Sequence, residues 1–161
     1  MRKKGFLVFE LLVSFTFTFV VIVFILQAIF VFQDKQINEM NRRNLSNAKI
    51  RIYQEMDEDL GNFEEFTAVQ KITVAPETIN FVSTKSYPLR VVHDSVKKID
   101  SIYWNGNLIP LDKSIKVTSI NVKTNDPIMT LTITFKQNKK TDTLIFVRET
   151  KIPSTNVTLN Y

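Results

Sequence analysis

Glu10 is the single acidic side chain in an apolar stretch that runs from Phe6 to Phe32. A carboxylate inside the hydrocarbon of a membrane costs about 2.5 to 3.5 kcal/mol on insertion scales. Acidic residues at that depth are therefore usually paired with an opposite charge or needed for function. The position of Glu10 indicates an electrostatic task, and the segment around it indicates what that task is.

Other side chains that could carry out catalysis are few. His93 is the only histidine and the chain has no cysteine, so the sequence offers no histidine cluster, thiolate metal site or serine triad of the usual kind. Three glycines are too few for a phosphate-binding glycine-rich loop. The sequence therefore predicts a protein that is not an enzyme and that needs neither metal nor cofactor. His93 itself is more typical of a surface or packed residue than of a pH switch.

The segment that carries Glu10 is long enough to cross a membrane. From Leu11 to Phe32 it contains no charged residue. As a helix these residues would span about 33 Å, which matches the thickness of a bilayer core. The sequence therefore predicts one membrane-spanning helix.

This segment has two simpler interpretations. A secretory signal peptide has a shorter apolar core and ends in a small-x-small cleavage site, which this segment lacks. A plain membrane anchor accounts for the apolar length and for the basic residues Arg2, Lys3 and Lys4, but it gives Glu10 no role. Further basic residues follow the span closely, so the charge distribution alone does not fix the orientation.

Basic residues followed by Gly5, Phe6 and Glu10, and then by an uninterrupted apolar run, resemble the class III signal of type IV prepilins and pseudopilins. This resemblance implies that a prepilin peptidase cuts between Gly5 and Phe6 and methylates the new amino terminus of Phe6. It also implies that Glu10 sets the register of filament assembly by pairing with the terminal amine of a neighbouring subunit. Such a pair is favourable because opposite charges attract strongly where the dielectric is low.

The chain departs from many major pilins in one respect. Those proteins carry a proline in the middle of the N-terminal helix, whereas the first proline here is Pro76. The sequence therefore predicts a helix without a proline kink between Phe6 and about Leu60.

After Gln33 the chain becomes polar but keeps apolar residues at helical spacing, which predicts that the same helix continues to a point near Gly61. The apolar stripe consists of Ile37, Met40, Leu45, Ala48, Ile52, Met56, Leu60 and Phe63. The acidic residues near the helix end are expected to form a solvated face. They are Glu55, Asp57, Glu58, Asp59, Glu64 and Glu65.

From Val69 onward the apolar residues alternate with a period of two, which predicts short β-strands. The predicted strands are QKITV, TINFV, LRVV, SIYW, NLIPL, IKVTSINV, IMTLTITF and TLIFVRE. Asn105 and Gly106 predict a two-residue type I′ hairpin between two of them. The brief connections favour an antiparallel sheet, so the predicted fold class is α+β.

A long N-terminal helix laid against an antiparallel β head resembles the type IV pilin fold. On that resemblance residues 1–5 are the leader peptide, 6–32 the transmembrane and filament-core helix, 33–62 the soluble half of the same helix, and 63–161 the β head. The low glycine content, the abundance of Lys and Asn, and the stretch YQEMDEDLGNF are most similar to a minor competence pseudopilin of the ComGF type.

The resemblance implies a minor subunit of a competence-type pilus that takes part in the uptake of exogenous DNA. Its implied partners are other major and minor pilins, the prepilin peptidase, the assembly platform membrane protein with its ATPase, and membrane lipid before assembly. The implied location is the cell membrane, single-pass with the head extracytoplasmic, and later the cell surface. Two alternatives stay open: a minor pilin of a retractile type IV pilus for adhesion or motility, and an uncleaved single-span protein with an extracellular binding domain.

Direct contact with DNA is the less favoured interpretation of the lysines. Lys136, Lys139 and Lys140 are the main candidates, with Lys97 and Lys98 elsewhere in the chain. However, three of the five net positive charges come from the extreme N-terminus, which leaves 5 − 3 = +2. Lysines in a hairpin loop are also ordinary solubilising residues. Stacking of Tyr103 and Trp104 on bases is likewise less favoured than packing within the sheet.

Overall fold

The structure is a computed structural model, which describes residues 2–61, 69–150 and 152–161, with side chains from Leu7 onward. The chain divides into two compact units, Met1–Arg42 and Arg43–Tyr161. The first unit consists of helix, and the second contains the rest of that helix and all the described β-strands. We refer to the second unit as the head.

Helix α1 extends from Arg2 to Leu60 as one element. It contains no proline, and the amide of Gly61 closes its last turn by donating to the carbonyl of Asp57 at 2.6 Å. A Cβ atom on Gly61 would lie 2.5 Å from the same carbonyl oxygen, so this position requires glycine's lack of a side chain. The predicted end of the helix near Gly61 is confirmed.

The predicted apolar stripe is buried only in its second half. Within the head, α1 buries the side chains of Leu45, Ala48, Ile52, Met56 and Leu60. Ile37 and Met40 belong to the other unit and are more than half exposed, so the stripe starts at Leu45 rather than at Ile37. Phe63 lies outside the described residues. Intervals of three and four residues place the buried members on one face of the helix.

Nine described strands follow the helix. They are β1 (Lys71–Ala75), β2 (Thr78–Val82), β3 (Ser86–Asp94), β4 (Ile99–Trp104), β5 (Asn107–Pro110), β6 (Ile115–Asn125), β7 (Ile128–Gln137), β8 (Lys140–Glu149) and β9 (Thr155–Asn160). All neighbouring strands pair antiparallel. The structure thus has the predicted α+β, type IV pilin-like layout of a long apolar helix followed by antiparallel sheets.

The strands form two sheets where the sequence predicted one. The first sheet has the order β1-β2-β3-β4-β5, and the second has the order β8-β7-β6-β9. The first is a simple meander, because each strand pairs with the next one in sequence. In the second, β9 returns to the free edge of β6, a long-range pairing that local pattern does not reveal. β9 was not predicted as a strand.

Two tight hairpins connect neighbouring strands in the two sheets. Asn105 and Gly106 connect β4 to β5 with φ angles of 43° and 94°, and Trp104 pairs with Asn107. Positive φ at both central residues is the requirement of a type I′ turn, so this predicted hairpin is confirmed. Asn138 and Lys139 connect β7 to β8, where Gln137 pairs with Lys140.

The core of the head lies among the helix and the inner faces of both sheets. Trp104 is fully buried at its centre, with its ring 5.9 Å from that of Phe81 and 6.0 Å from that of Tyr87. Alternate residues of β7, such as Leu131 and Ile133, are fully buried, whereas their neighbours are partly exposed. Because burial alternates with every second residue, one face of the sheet packs on the core and the other face is left to solvent.

Candidate functional site

The N-terminal half of α1 presents apolar side chains on all sides. Phe9, Phe15 and Phe24 are each about two-thirds or more exposed, at 68%, 71% and 73%. A helix that is apolar all round requires an apolar environment, which a bilayer or a bundle of similar helices supplies. Within the described residues, α1 is the one helix long and apolar enough to cross a membrane. This agrees with single-pass membrane anchoring.

Glu10 lies on this exposed apolar helix. Its side chain is exposed, and it has no ion pair or hydrogen bond with another residue whose side chain is described. Gly5 and Phe6 are within α1, but the side chain of Phe6 lies outside the described part of the chain. Glu10 is the fourth residue after Phe6, an offset that corresponds to about 6 Å along a helix. Cleavage after Gly5, methylation of Phe6 and the register role of Glu10 stay predictions.

The acidic end of α1 is attached to both sheets rather than being wholly solvated. The Asp59 carboxylate accepts hydrogen bonds from Trp104 Nε1 at 2.7 Å and from the Asn105 side chain at 2.8 Å. Glu55 accepts a longer bond from Asn107, at 3.2 Å. These three contacts tie the helix to the β4–β5 hairpin of the first sheet.

A second set of contacts ties the helix to β8 of the second sheet. Arg148 donates to the carboxylate of Asp57, and the rings of Tyr53 and Phe146 are stacked with their centroids 5.2 Å apart. Asp57 and Asp59 therefore depart from the predicted solvated face, whereas Glu58 is exposed as predicted. Glu64 and Glu65 lie outside the described residues. The acids hold the helix end in place, which is a structural task.

Asp100 is a buried carboxylate at the junction of the two sheets. One of its oxygens accepts hydrogen bonds from His93 Nδ1 at 2.7 Å and from Lys116 Nζ at 3.1 Å, and the other accepts the Val117 amide at 3.0 Å. Burial raises the pKa of Asp100, but the bonds from His93, Val117 and Lys116 outweigh it and hold the pKa below its ordinary value. His93 is thus an exposed partner of a structural carboxylate.

The predicted lysine candidates gather at one end of the second sheet. Lys136 is exposed on β7, Lys139 lies in the turn and Lys140 begins β8. The register of β6 with β7 places Lys116 directly opposite Lys136. Lys116 also donates to the Lys98 carbonyl at 3.1 Å, which brings the β3–β4 turn to the same end of the head.

Lys113 joins this group through the loop that precedes β6. Ser114 accepts a hydrogen bond at 2.9 Å from Gln137, the last residue of β7, and so holds the loop beside the β7–β8 hairpin. We call the whole group the basic end; it consists of Lys98, Lys113, Lys116, Lys136, Lys139 and Lys140. Lys113 and Lys116 were not among the predicted candidates, because only strand register and a loop contact bring them to the other lysines. Lys97, the remaining candidate, forms an ion pair with Asp94 at 4.0 Å.

The acidic residues near the basic end offset only part of its positive charge. Asp112 accepts the Ser114 amide at 2.9 Å and the Ser114 hydroxyl at 2.7 Å, which lower the pKa of this carboxyl. Asp142 pairs with Lys49 of α1 at 3.0 Å. Among the residues that the structure describes, Lys113, Lys136, Lys139 and Lys140 have no ion-pair partner. Asp112 attracts Lys113 electrostatically and Asp100 pairs with Lys116, so the basic end keeps an excess of positive charge that is carried mainly by Lys136, Lys139 and Lys140.

The two aromatic candidates for base stacking differ in their environments. Trp104 is fully buried and engaged with Asp59, so it has no face available to a ligand. Tyr103 is partly exposed, but the Arg90 guanidinium carbon lies 4.8 Å from its ring centroid. Packing within the sheet, the favoured interpretation of Trp104, is confirmed.

Comparison with known proteins identifies no relative of this chain. No family model matches the chain, and neither a curated protein nor a solved structure matches it. The class of protein is therefore defined by its layout alone, which is type IV pilin-like.

Proposed function

We propose that this protein is a minor pilin-like subunit that is held in the membrane by α1, matured by a prepilin peptidase and then assembled into a filament. The observation that carries the proposal is the position of Glu10, one helical turn after Phe6 in an otherwise apolar and exposed helix. Cutting after Gly5 would create a cationic α-amino group at Phe6, near the depth of that acid. A cation and a carboxylate in a medium of low dielectric are each costly alone and favourable together.

The head supports the same proposal by its attachment to α1. Contacts from Asp57 and Asp59 fix the end of the helix to both sheets, and the stripe from Leu45 to Leu60 is buried in the core. The last turns of α1 are therefore an integral part of the packed head. Such an attachment suits a subunit that is extracted from lipid and placed in a polymer.

Within this class we propose a competence-type system, in which the subunit is a minor pseudopilin similar to the ComGF type and helps to build the pilus used in DNA uptake. The support is the sequence resemblance in composition and in the acidic stretch that ends α1. A retractile pilus for adhesion or motility is the competing system. Deleting the gene in its own host separates the two, because the first predicts a loss of transformation and the second a loss of attachment or movement.

Intact-mass measurement of the membrane-extracted chain tests maturation directly. In cells with the prepilin peptidase, we expect loss of residues 1–5 and addition of one methyl group to Phe6. Cells without the peptidase, and a Gly5→Val variant in normal cells, provide matched controls that should retain the full sequence. Retention of Met1 to Gly5 in normal cells would overturn the filament proposal and favour an uncleaved anchor with an extracellular binding domain.

A further inference from the structure

Protection of a sheet edge does not explain all the lysines of the basic end. Edge strands often carry lysines because charge prevents pairing with other chains. Lys136, however, lies on β7, which pairs with β6 on one side and with β8 on the other. Edge protection can therefore account only for Lys140 of β8 and for Lys116, which lies outside the part of β6 that pairs with β9, Ser119 to Thr124.

The arrangement also has an electrostatic cost. Like charges directly opposite each other on neighbouring strands are destabilising, and Lys116 and Lys136 are such a pair. Asp100 compensates Lys116, Asp112 offsets part of the charge of Lys113, and Asp142 is paired with Lys49. Among the described residues, Lys136, Lys139 and Lys140 are left without a carboxylate partner, and they form a positive surface for an external anion.

The dimensions of the basic end fit a chain of phosphates. Lys136 and Lys140 lie on neighbouring strands, and the loop with Lys113 leads into the next strand, β6. Three neighbouring strands extend over about 10 Å, so the lysines can reach more than one phosphate of an extended chain. Because these cationic groups are lysines, they would attract phosphates as point charges without the paired geometry that arginine gives.

We propose that the basic end binds the phosphodiester backbone of a linear polymer, without reading its sequence. The binding groups are Lys113, Lys136, Lys139 and Lys140, and Lys116 is held beside them by Asp100. None of these residues offers a planar group for stacking on bases, and Trp104 is buried. Phosphate contacts by lysines give an attraction that weakens steeply with salt. For its biological setting this inference rests on the proposed DNA-uptake function, but the binding itself does not.

The test uses the full chain in nanodiscs of uncharged lipid and two fluorescent probes, a single-stranded oligodeoxythymidylate and poly(glycerol phosphate). A K113Q/K136Q/K139Q variant is compared with a K71Q/K85Q/K123Q control, which removes the same charge from other parts of the head. We expect the first variant to lose about tenfold or more in affinity, and the slope of log affinity against log salt to decrease by about 2 to 3. The control should bind as the unchanged chain does.

Replacement of the same three lysines by arginine should restore binding, since the charge returns while the positions stay the same. Loss of binding to either probe in the glutamine variant supports the proposal, and the probe that is affected identifies the source of the phosphodiester. Equal affinities and salt slopes for the variant and the control, or no binding of either probe by the unchanged chain, would overturn it. Intact masses measured on the same preparations separate a failure of this inference from a failure of maturation.

Discussion

The indole N–H of Trp104 donates a 2.7 Å hydrogen bond to the carboxylate of Asp59, so the centre of the core is bonded directly to the end of α1. The bond joins two positions that are 45 residues apart. Trp104 is fully buried, and the same carboxylate accepts from Asn105 in the adjacent turn. Removal of this one acid would leave a buried donor unsatisfied and release the β4–β5 hairpin from the helix.

We therefore predict that Asp59→Ala lowers the free energy of unfolding by about 1 to 3 kcal/mol, the usual cost of orphaning a buried polar group. Asp59→Asn should cost less, because its amide oxygen still accepts the bond. Trp104 is the only tryptophan, so its fluorescence in urea titrations of the detergent-solubilised chain reports on this junction. Glu58→Ala, at an exposed neighbouring position, is the control. An Asp59→Ala chain as stable as that control would contradict the assignment.

Much of this fold is predictable from local pattern, and the roles of the acids are not. Eight of the nine described strands coincide with predicted ones because alternation marks them, and Asn105-Gly106 marks the type I′ turn by residue type alone. β9 was missed because its pairing partner, β6, lies about 30 residues earlier in the chain. Local spacing also gives no sign that Asp59 meets Trp104 or that Lys116 meets Lys136. Those contacts exist only once the two sheets and the helix have formed.

Asp100 gives the head a defined response to acid. The pKa of this carboxyl is below its ordinary value in the folded chain. Burial raises the pKa, but the hydrogen bonds from His93, Val117 and Lys116 lower it by more. A carboxylate whose pKa is lowered by folding stabilises the folded chain. This stabilisation is fully present at pH values above the pKa of the unfolded chain, about 3.9, and is lost as the pH falls through the pKa of the folded chain. We expect the unfolding free energy to decrease as the pH is lowered from about 5 to below 4.

Asp100→Asn should be less stable at neutral pH and should show a weaker decrease in acid, because the titrating group is gone. The loss at neutral pH should be about 1 to 3 kcal/mol, since Lys116 and His93 lose their charged acceptor. Urea titrations at a series of pH values measure both effects, with Glu58→Gln as the control for removal of an exposed acid. If the two variants show the same pH dependence, the carboxyl at the sheet junction does not carry the response.

The β4–β5 turn provides a test of backbone geometry. Gly106 has a φ of 94°, a region that residues with a Cβ rarely adopt, although no atom within 4 Å would obstruct the added carbon. We predict that Gly106→Ala destabilises the head by about 1 to 2 kcal/mol through backbone strain alone. Lys139→Ala, at the second position of the β7–β8 turn, is a matched control without a positive φ. Thermal unfolding of both variants measures the difference, and equal midpoints would refute the strain argument.

Glu10 carries the most consequential prediction for assembly. If its carboxylate neutralises the terminal amine of a neighbouring subunit, removing the charge leaves that amine unpaired at membrane depth. Glu10→Gln should therefore insert in the membrane as well as the unchanged chain does, or better, because a buried charge has been removed. Its recovery in filaments sheared from cells should fall at least several-fold, while Glu10→Asp, which keeps the charge on a shorter side chain, should retain part of it.

The ratio of sheared to membrane-bound protein, measured by quantitative immunoblot, separates insertion from assembly. Ser14→Ala, a change at a nearby uncharged position on the same helix, controls for general disturbance of α1. Intact masses of the Glu10→Gln chain must show that residues 1–5 are still removed, since an uncut precursor would fail to assemble for another reason. A processed Glu10→Gln chain that enters filaments in normal amounts would mean that the register is set by apolar packing of α1, and that the acid has no part in it.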